Sequence, residues 1–251
     1  MQAAVPSRWP ELLNRLTEIA QHYPRAVLAS SLAAEDMVLL HALAELDFPL
    51  AVLTLDTGML PPQTLALLEV AQQHYGCTIE VWRPDAAAVQ AYVSQPGGTY
   101  AFYESVEQRK ACCQIRKVAP LTHALHGRGA WITGQRREQN VTRETLPLSE
   151  YDTTFGLQKF NPLAEWTHEE IWQAIHHFAI PYNALHDQNY PSIGCGPCTR
   201  AIKPGEDLRA GRWWWESANS KECGLHVANV QNTSPVNTQT QPQKDHQEEC
   251  V

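Results

Sequence analysis

Short apolar runs alternate with segments of helical period through the first half of this chain. "RAVLASS" leads into "LAAEDMVLLHALAEL", and "LAVLTLDTG" into "PPQTLALLEVAQQHYG". "CTIEVWRP" is next, and "GAWITGQRRE" comes after a helical stretch from about 101 to 126. A strand that reaches the next strand through a helix returns parallel to it. The pattern therefore predicts an α/β fold, a parallel sheet with helices on both faces. Segment 11–22 carries apolar residues at helical spacing and adds a helix before the first strand. Proline opens and Gly76 closes one helix, and Thr167 caps another, "THEEIWQAIHHFAI". "TLPLSEYDTTFGLQKFNPL" has no helical period, and "PYNALHDQNYPSIGCGPCTR" reads as a loop broken by proline and glycine. No internal repeat is present.

The 251 residues suit one α/β domain, taken as 1–226, followed by a tail at 227–251. After Leu225 there is no Leu, Ile, Met or aromatic residue, so the tail is expected to be disordered. No apolar run reaches the roughly 20 residues of a membrane-spanning helix. The N-terminal stretch lacks a basic region leading into an apolar one. The expectation is a soluble, cytoplasmic protein without membrane contact. A net charge of −8 argues against a protein built to grip nucleic acid. An odd count of seven cysteines without an export signal favours metal binding or thiol chemistry over a disulfide framework.

Ligands of open α/β sheets bind beyond the carboxyl ends of the strands, so the turns are the candidates. Ser30, Ser31, Leu32 and Ala33 enter a helix start and offer hydroxyls and backbone amides to an oxyanion, although the same serines could simply cap that helix. Asp56, Thr57 and Gly58 come after the second strand, and Arg136 and Arg137 after the fourth. No Walker A loop and no G-x-G-x-x-G occurs, which disfavours P-loop hydrolysis and dinucleotide folding.

Cys195 and Cys198 form a C-x-x-C, and Cys112 and Cys113 are adjacent. Neighbouring helical side chains diverge by about 100°, which suits a cubane iron–sulfur cluster better than one tetrahedral zinc, with buried thiols as the third reading. Cys223, between Lys221 and His226 and followed by Gly224, is a candidate nucleophile or else a stray tail cysteine. Cys77 reads as a core residue and Cys250 as inert. Arg209 and Arg212, three apart and on one side if helical, could clamp an anion, or else belong to a solvated face. Trp213, Trp214 and Trp215 could stack on a base but read more readily as core or interface anchors.

Together, "SSLAAEDMVL", "LDTGMLPPQT", "KACCQIRKVAPL", "WITGQRREQN", "KFNPLAEWT", "GCGPCTRAIKPGEDLRAGRWWWE" and "KECGLH" resemble the assimilatory adenylylsulfate reductases. These are the iron–sulfur branch of the family that includes phosphoadenylylsulfate reductases. The resemblance runs from 30 to 226 and implies the fold of adenine nucleotide α-hydrolases and ATP pyrophosphatases. It implies that Cys112, Cys113, Cys195 and Cys198 ligate one 4Fe-4S cluster, with Lys117 on the same helix face between cluster and substrate sulfate. It further implies that Cys223, with His226 in the same motif, attacks adenylyl sulfate in sulfate assimilation and cysteine biosynthesis, and that Lys117, Arg209 and Arg212 stabilise the transition state. A separate thioredoxin-like reductant would release sulfite. Gln135 stands where some relatives would carry a basic residue, which leaves tolerance of a 3′-phosphate open, and a homo-oligomer is equally open. A tRNA sulfur-inserting enzyme lacks support without an S-G-G-x-D-S loop or basic surface. A plain electron carrier would have no use for "KECGLH".

Overall fold

The computed structural model describes residues 5–46, 50–140 and 143–216. Six strands form one sheet in the order β3-β2-β1-β4-β6-β5. They are β1 (Ala26–Ser30), β2 (Ala51–Leu55), β3 (Ile79–Trp82), β4 (Ala130–Ile132), β5 (Ser149–Asp152) and β6 (Leu157–Phe160). Neighbours pair in parallel except β5, which runs antiparallel to β6 and forms one edge. The parallel sheet is as the alternation predicts.

Alternation along β1 explains the two layers. Leu28 faces the larger core, where α1 (Trp9–His22), α2 (Ala34–Ala44) and α7 (His168–Phe178) bring Leu16, Met37 and Ile175. Val27 faces the opposite layer, with Leu121 and Leu125 of α6 (Ala119–Leu125) and Trp131 of β4. Burying each such side chain is worth about 1.5–3 kcal/mol. α2 reads as amphipathic, yet eight of its eleven residues are buried, because α1 and α7 both pack on it. The remaining helices are α3 (Pro62–Tyr75), closed by left-handed Gly76, α4 (Ala86–Val93) and α5 (Val106–Cys113).

Two stretches depart from the sequence reading. The hairpin β5–β6 falls in a region without helical period, and its strands "SEYD" and "LQKF" carry few apolar residues because β5 lies at the sheet edge. The helical stretch at 101–126 is composite: a 3₁₀ helix at Gly98–Tyr103, then α5, a π-helical segment at Gln114–Val118, and α6. Pro120 supplies the reason. It has no N–H to give and its ring displaces the carbonyl one turn back, so the preceding turn widens and Ala119 donates to the Gln114 carbonyl. Among the described residues no helix is long and apolar enough to cross a membrane.

Candidate active site

A cleft with about 240 Å³ of room opens at the carboxyl ends of β1, β2 and β4. Ser30, Ser31 and Ala33 line it from β1, Thr57 from β2, and Gln135 and Arg136 from β4. Lys117, Cys195, Arg209 and Arg212 close it from the other side. The sheet thus brings together most of the residues singled out from sequence.

The β1 turn is not a capped helix start. The N-cap of α2 is Ala33, which supplies no side-chain bond. Ser31 instead donates its N–H and its Oγ to Asp36 Oδ2, both at 2.6 Å, and Leu32 N–H donates to Ser30 Oγ at 3.1 Å. Leu32 sits in the left-handed region at φ 60° with its side chain 2% exposed in the core. A non-glycine residue there stores roughly 1–3 kcal/mol, which core packing must offset. α2 starts at the cleft, where Ala33, Glu35 and Asp36 are among the lining residues, and the amides of a helix's first turn have no partner within the helix, which suits them to an oxyanion. Burial pushes the Asp36 carboxyl up to about 6, against the pull of its Ser31 bonds.

Behind the β4 turn, Gly134 is required by close approach: a Cβ there would lie 2.4 Å from Asp36 Oδ1 and 2.9 Å from Glu35 Cβ. The Arg136 guanidinium is buried and engaged. It donates to Glu35 Oε1 from Nε at 3.0 Å and Nη2 at 2.8 Å, and from Nη1 to Glu138 at 3.0 Å and the Trp166 carbonyl at 3.2 Å. That ion pair holds Glu35 below the usual carboxylate range although burial opposes it. Arg136, read from sequence as a substrate contact, lines the cleft with its guanidinium engaged by Glu35, Glu138 and the Trp166 carbonyl.

The four motif cysteines form one buried group. Cys112 and Cys113 end α5, Cys195 and Cys198 come from the distant loop, and all are 6–9% exposed among Tyr92, Phe102 and Trp213. None is in a disulfide. Burial, reinforced by Cys195, pushes the Cys198 thiol up to about 12, while Lys117 and Arg212 pull it down. Burial likewise raises Cys112, opposed by Arg116, whose Nη1 also donates to the Thr57 carbonyl at 2.8 Å. Thr57 Oγ1 lies 3.2 Å from Cys195 Sγ. Among the described residues, no three His, Cys, Asp or Glu side chains meet as ligands of a single metal ion.

Arg209 and Arg212 reach the cleft from turns, not from a helix. Pro204, Gly205 and Gly211 keep 203–216 in turns, and Arg212 pairs with Thr199 in an isolated bridge. The Arg212 guanidinium packs against Gly194, where a Cβ would come within 2.3 Å of Nη2, and donates to the Ile193 carbonyl at 3.0 Å. Lys117 lies on the π segment and not on a regular helix face, and still lines the cleft. Asp56 and Gly58 do not line it. Asp56 is held by Arg83 at 3.0 Å and caps Gly58 N–H, also at 3.0 Å. Lys221, Cys223, Gly224 and His226, with the 227–251 tail and Cys250, lie outside the described residues. The cleft also holds Glu35, Asp36, Gln139, Arg143 and His168, which sequence reasoning passed over. For Glu35 and Asp36 the available signal was the acidic pair that comes after "SSLAA" at the start of a helix.

Fold and cleft define an α/β protein whose mostly parallel sheet carries a cleft at the carboxyl ends of its strands. Among solved structures the chain is similar to a phosphoadenylyl-sulfate reductase from Candida auris, with TM-score 0.65 and 24% identity over 76% of this chain and 90% of that one. It is also similar in fold to yeast FAD synthetase, with TM-score 0.55 and 14% identity over 80% and 70% of the two chains. The family model described as phosphoadenosine phosphosulfate reductase domain matches residues 25–201, and the chain belongs to that family. Relatives include the adenosine 5′-phosphosulfate reductase of Allochromatium vinosum, 51% identical over 88% of this chain and 86% of that protein. The protein of the same name from Burkholderia cepacia is 52% identical over 86% of each.

Proposed function

We propose that this protein reduces adenylyl sulfate to sulfite and AMP in sulfate assimilation, with a thioredoxin-like dithiol as electron donor. The carrying observation is the cleft itself, in which Lys117, Arg209 and Arg212 line the same space as the turns after β1, β2 and β4, beside four buried cysteines. Relatives named adenosine 5′-phosphosulfate reductase, about half identical across nearly the whole chain, support it. The Cys223 thiolate attacks the sulfate sulfur. A bond forms between the two sulfurs, the bond to the bridging oxygen breaks, and its electron pair leaves with AMP. Lys117, Arg209 and Arg212 stabilise charge gathering on the sulfate and bridging oxygens. One thiolate of the reductant then attacks Cys223 Sγ and sulfite leaves with the electron pair of the sulfur–sulfur bond. The second thiol displaces Cys223 and leaves the reductant as a disulfide.

The donor set supports membership of the iron–sulfur branch. Cys112, Cys113, Cys195 and Cys198 would hold one 4Fe-4S cluster, since four soft thiols outside any disulfide share one buried site with cations nearby. When bound, the cluster would tie α5 to the C-x-x-C loop and shape the field beside Lys117, without exchanging electrons. Single turnover without reductant should release one AMP per chain and add a sulfonate of about 80 Da at Cys223, as a nucleophilic intermediate requires. Steady sulfite production by Cys223→Ser would sink the mechanism. The ratio of rates with adenylyl sulfate and its 3′-phosphorylated form decides between this reading and a phosphoadenylyl sulfate or dual-specificity reductase, the activity that the family description and the Candida auris neighbour bring forward.

A further inference from the structure

Gln135 sits at the carboxyl end of β4, lines the cleft, and is 5% exposed. Its Oε1 is buried without any hydrogen-bond partner among the described residues. A buried amide oxygen left so is costly, and native folds rarely keep one without a use. Its backbone is pinned on both sides. Gln135 N–H donates to Thr133 Oγ1 at 3.4 Å, that hydroxyl donates to Asn161 Oδ1 at 2.6 Å, and Asn161 Nδ2 donates to the Pro147 carbonyl at 3.0 Å. Before it, Gly134 is wedged under Asp36, and after it Arg136 is locked to Glu35 and Glu138. The side chain therefore projects from a fixed point.

The chemistry selects what satisfies it. An amide oxygen has lone pairs and no proton, so it takes a donor and repels a phosphate or sulfate oxygen. The cations that suit an anion gather beside Cys198, whereas at the Gln135 turn the Arg136 guanidinium is already committed to the carboxylates of Glu35 and Glu138. Building on the nucleotide reading of the cleft, we infer that Gln135 reads the nucleoside half of the ligand, its Oε1 accepting a hydrogen bond from a ribose hydroxyl or the base amino group. If the donor is the 3′-hydroxyl, a phosphate at that position removes the proton Gln135 needs, and the residue becomes a determinant of substrate choice.

The test is AMP binding by calorimetry, which requires no turnover. Wild type and Gln135→Met are titrated with AMP, 2′-deoxy-AMP, 3′-deoxy-AMP and the purine analogue lacking the amino group. Wild type should lose on the order of 5- to 100-fold in affinity for one analogue, the range for a hydrogen bond that leaves its partner buried. That analogue identifies the donor. Gln135→Met should lose a similar factor for AMP and be indifferent to the same analogue. Equal AMP affinity in wild type and variant, or losses that multiply for every analogue, overturns the assignment. Wild type that binds no AMP overturns the nucleotide reading of the cleft instead. Should Gln135→Met fail to fold, Gln135→Glu, which keeps an acceptor oxygen, must retain the wild-type discrimination, and its loss counts against Gln135.

Discussion

Arg109 and Glu216 form a two-armed ion pair out of contact with water: Nε and Nη2 each lie 2.9 Å from a different carboxylate oxygen. Their side chains are 0% and 3% exposed, and the guanidinium stacks 4.6 Å over Trp213. Arg109 is on the helix that ends in Cys112 and Cys113, and Glu216 stands seven positions before Cys223 in sequence. The pair ties the stretch that precedes the proposed nucleophile in sequence to the cysteine helix. Removing one partner strands a buried charge, so Glu216→Ala should lower unfolding free energy by about 3–5 kcal/mol in urea titrations. A loss under about 1 kcal/mol, the range of exposed pairs, would show that the clamp contributes little.

Asp36 should give the protein a measurable acid-side stability term. Its folded value, about 6, lies above the ordinary 3.8 because of burial, so between these values the folded state holds a proton that the unfolded chain has lost. The contribution is fully present below about pH 4 and is lost as pH rises through about 6, up to about 3 kcal/mol. Relative to Asp36→Asn, which cannot titrate, wild type should lose stability over that window. A flat difference from pH 4 to 7 would place the carboxyl in a more polar setting.

Lys117→Ala and Arg212→Ala should each lower kcat/KM for adenylyl sulfate by roughly ten- to a thousandfold, as when a charge-stabilising donor is lost. Arg212→Ala should show the smaller effect on thiol chemistry and the larger on fold, since its guanidinium also fills the space over Gly194. Normal turnover by both variants would move the anion site elsewhere.

Purified without oxygen, the protein should contain about four irons and four sulfides per chain, the load of one cubane on four thiolates. Cys112→Ser should lose iron and activity together. Stoichiometric zinc in active protein would replace the cluster with a different metal centre.

The inner strands were legible because burial on both faces demands unbroken apolar runs: "AVLAS", "AVLTL" and "AWI" admit few alternatives. The edge hairpin was not, since Lys159 is buried only through Glu150 at 2.9 Å and the Trp131 face at 5.5 Å, partners that adjacency in sequence does not announce. α4 escaped although Asp85 caps it by accepting from Ala88 N–H at 2.8 Å. The cysteines and cations of the site showed in spacing and resemblance. The resemblance drew attention to Gln135 but not to its unanswered carbonyl, and it passed over the raised carboxyl of Asp36, because both are properties of burial, and burial is decided by residues far along the chain.

The wide turn at Gln114–Val118 has a genetic consequence. One π turn amounts to a single residue inserted into an α-helix, rotating the downstream residues by about 100° relative to an unbroken helix. An in-frame loss of one codon there would leave α5 and α6 as competent helices, yet swing Lys117 or the α6 packing face out of phase with the cysteine pair. Reading frame and helix propensity would both survive such a deletion, so neither would betray the lesion in a gene otherwise intact.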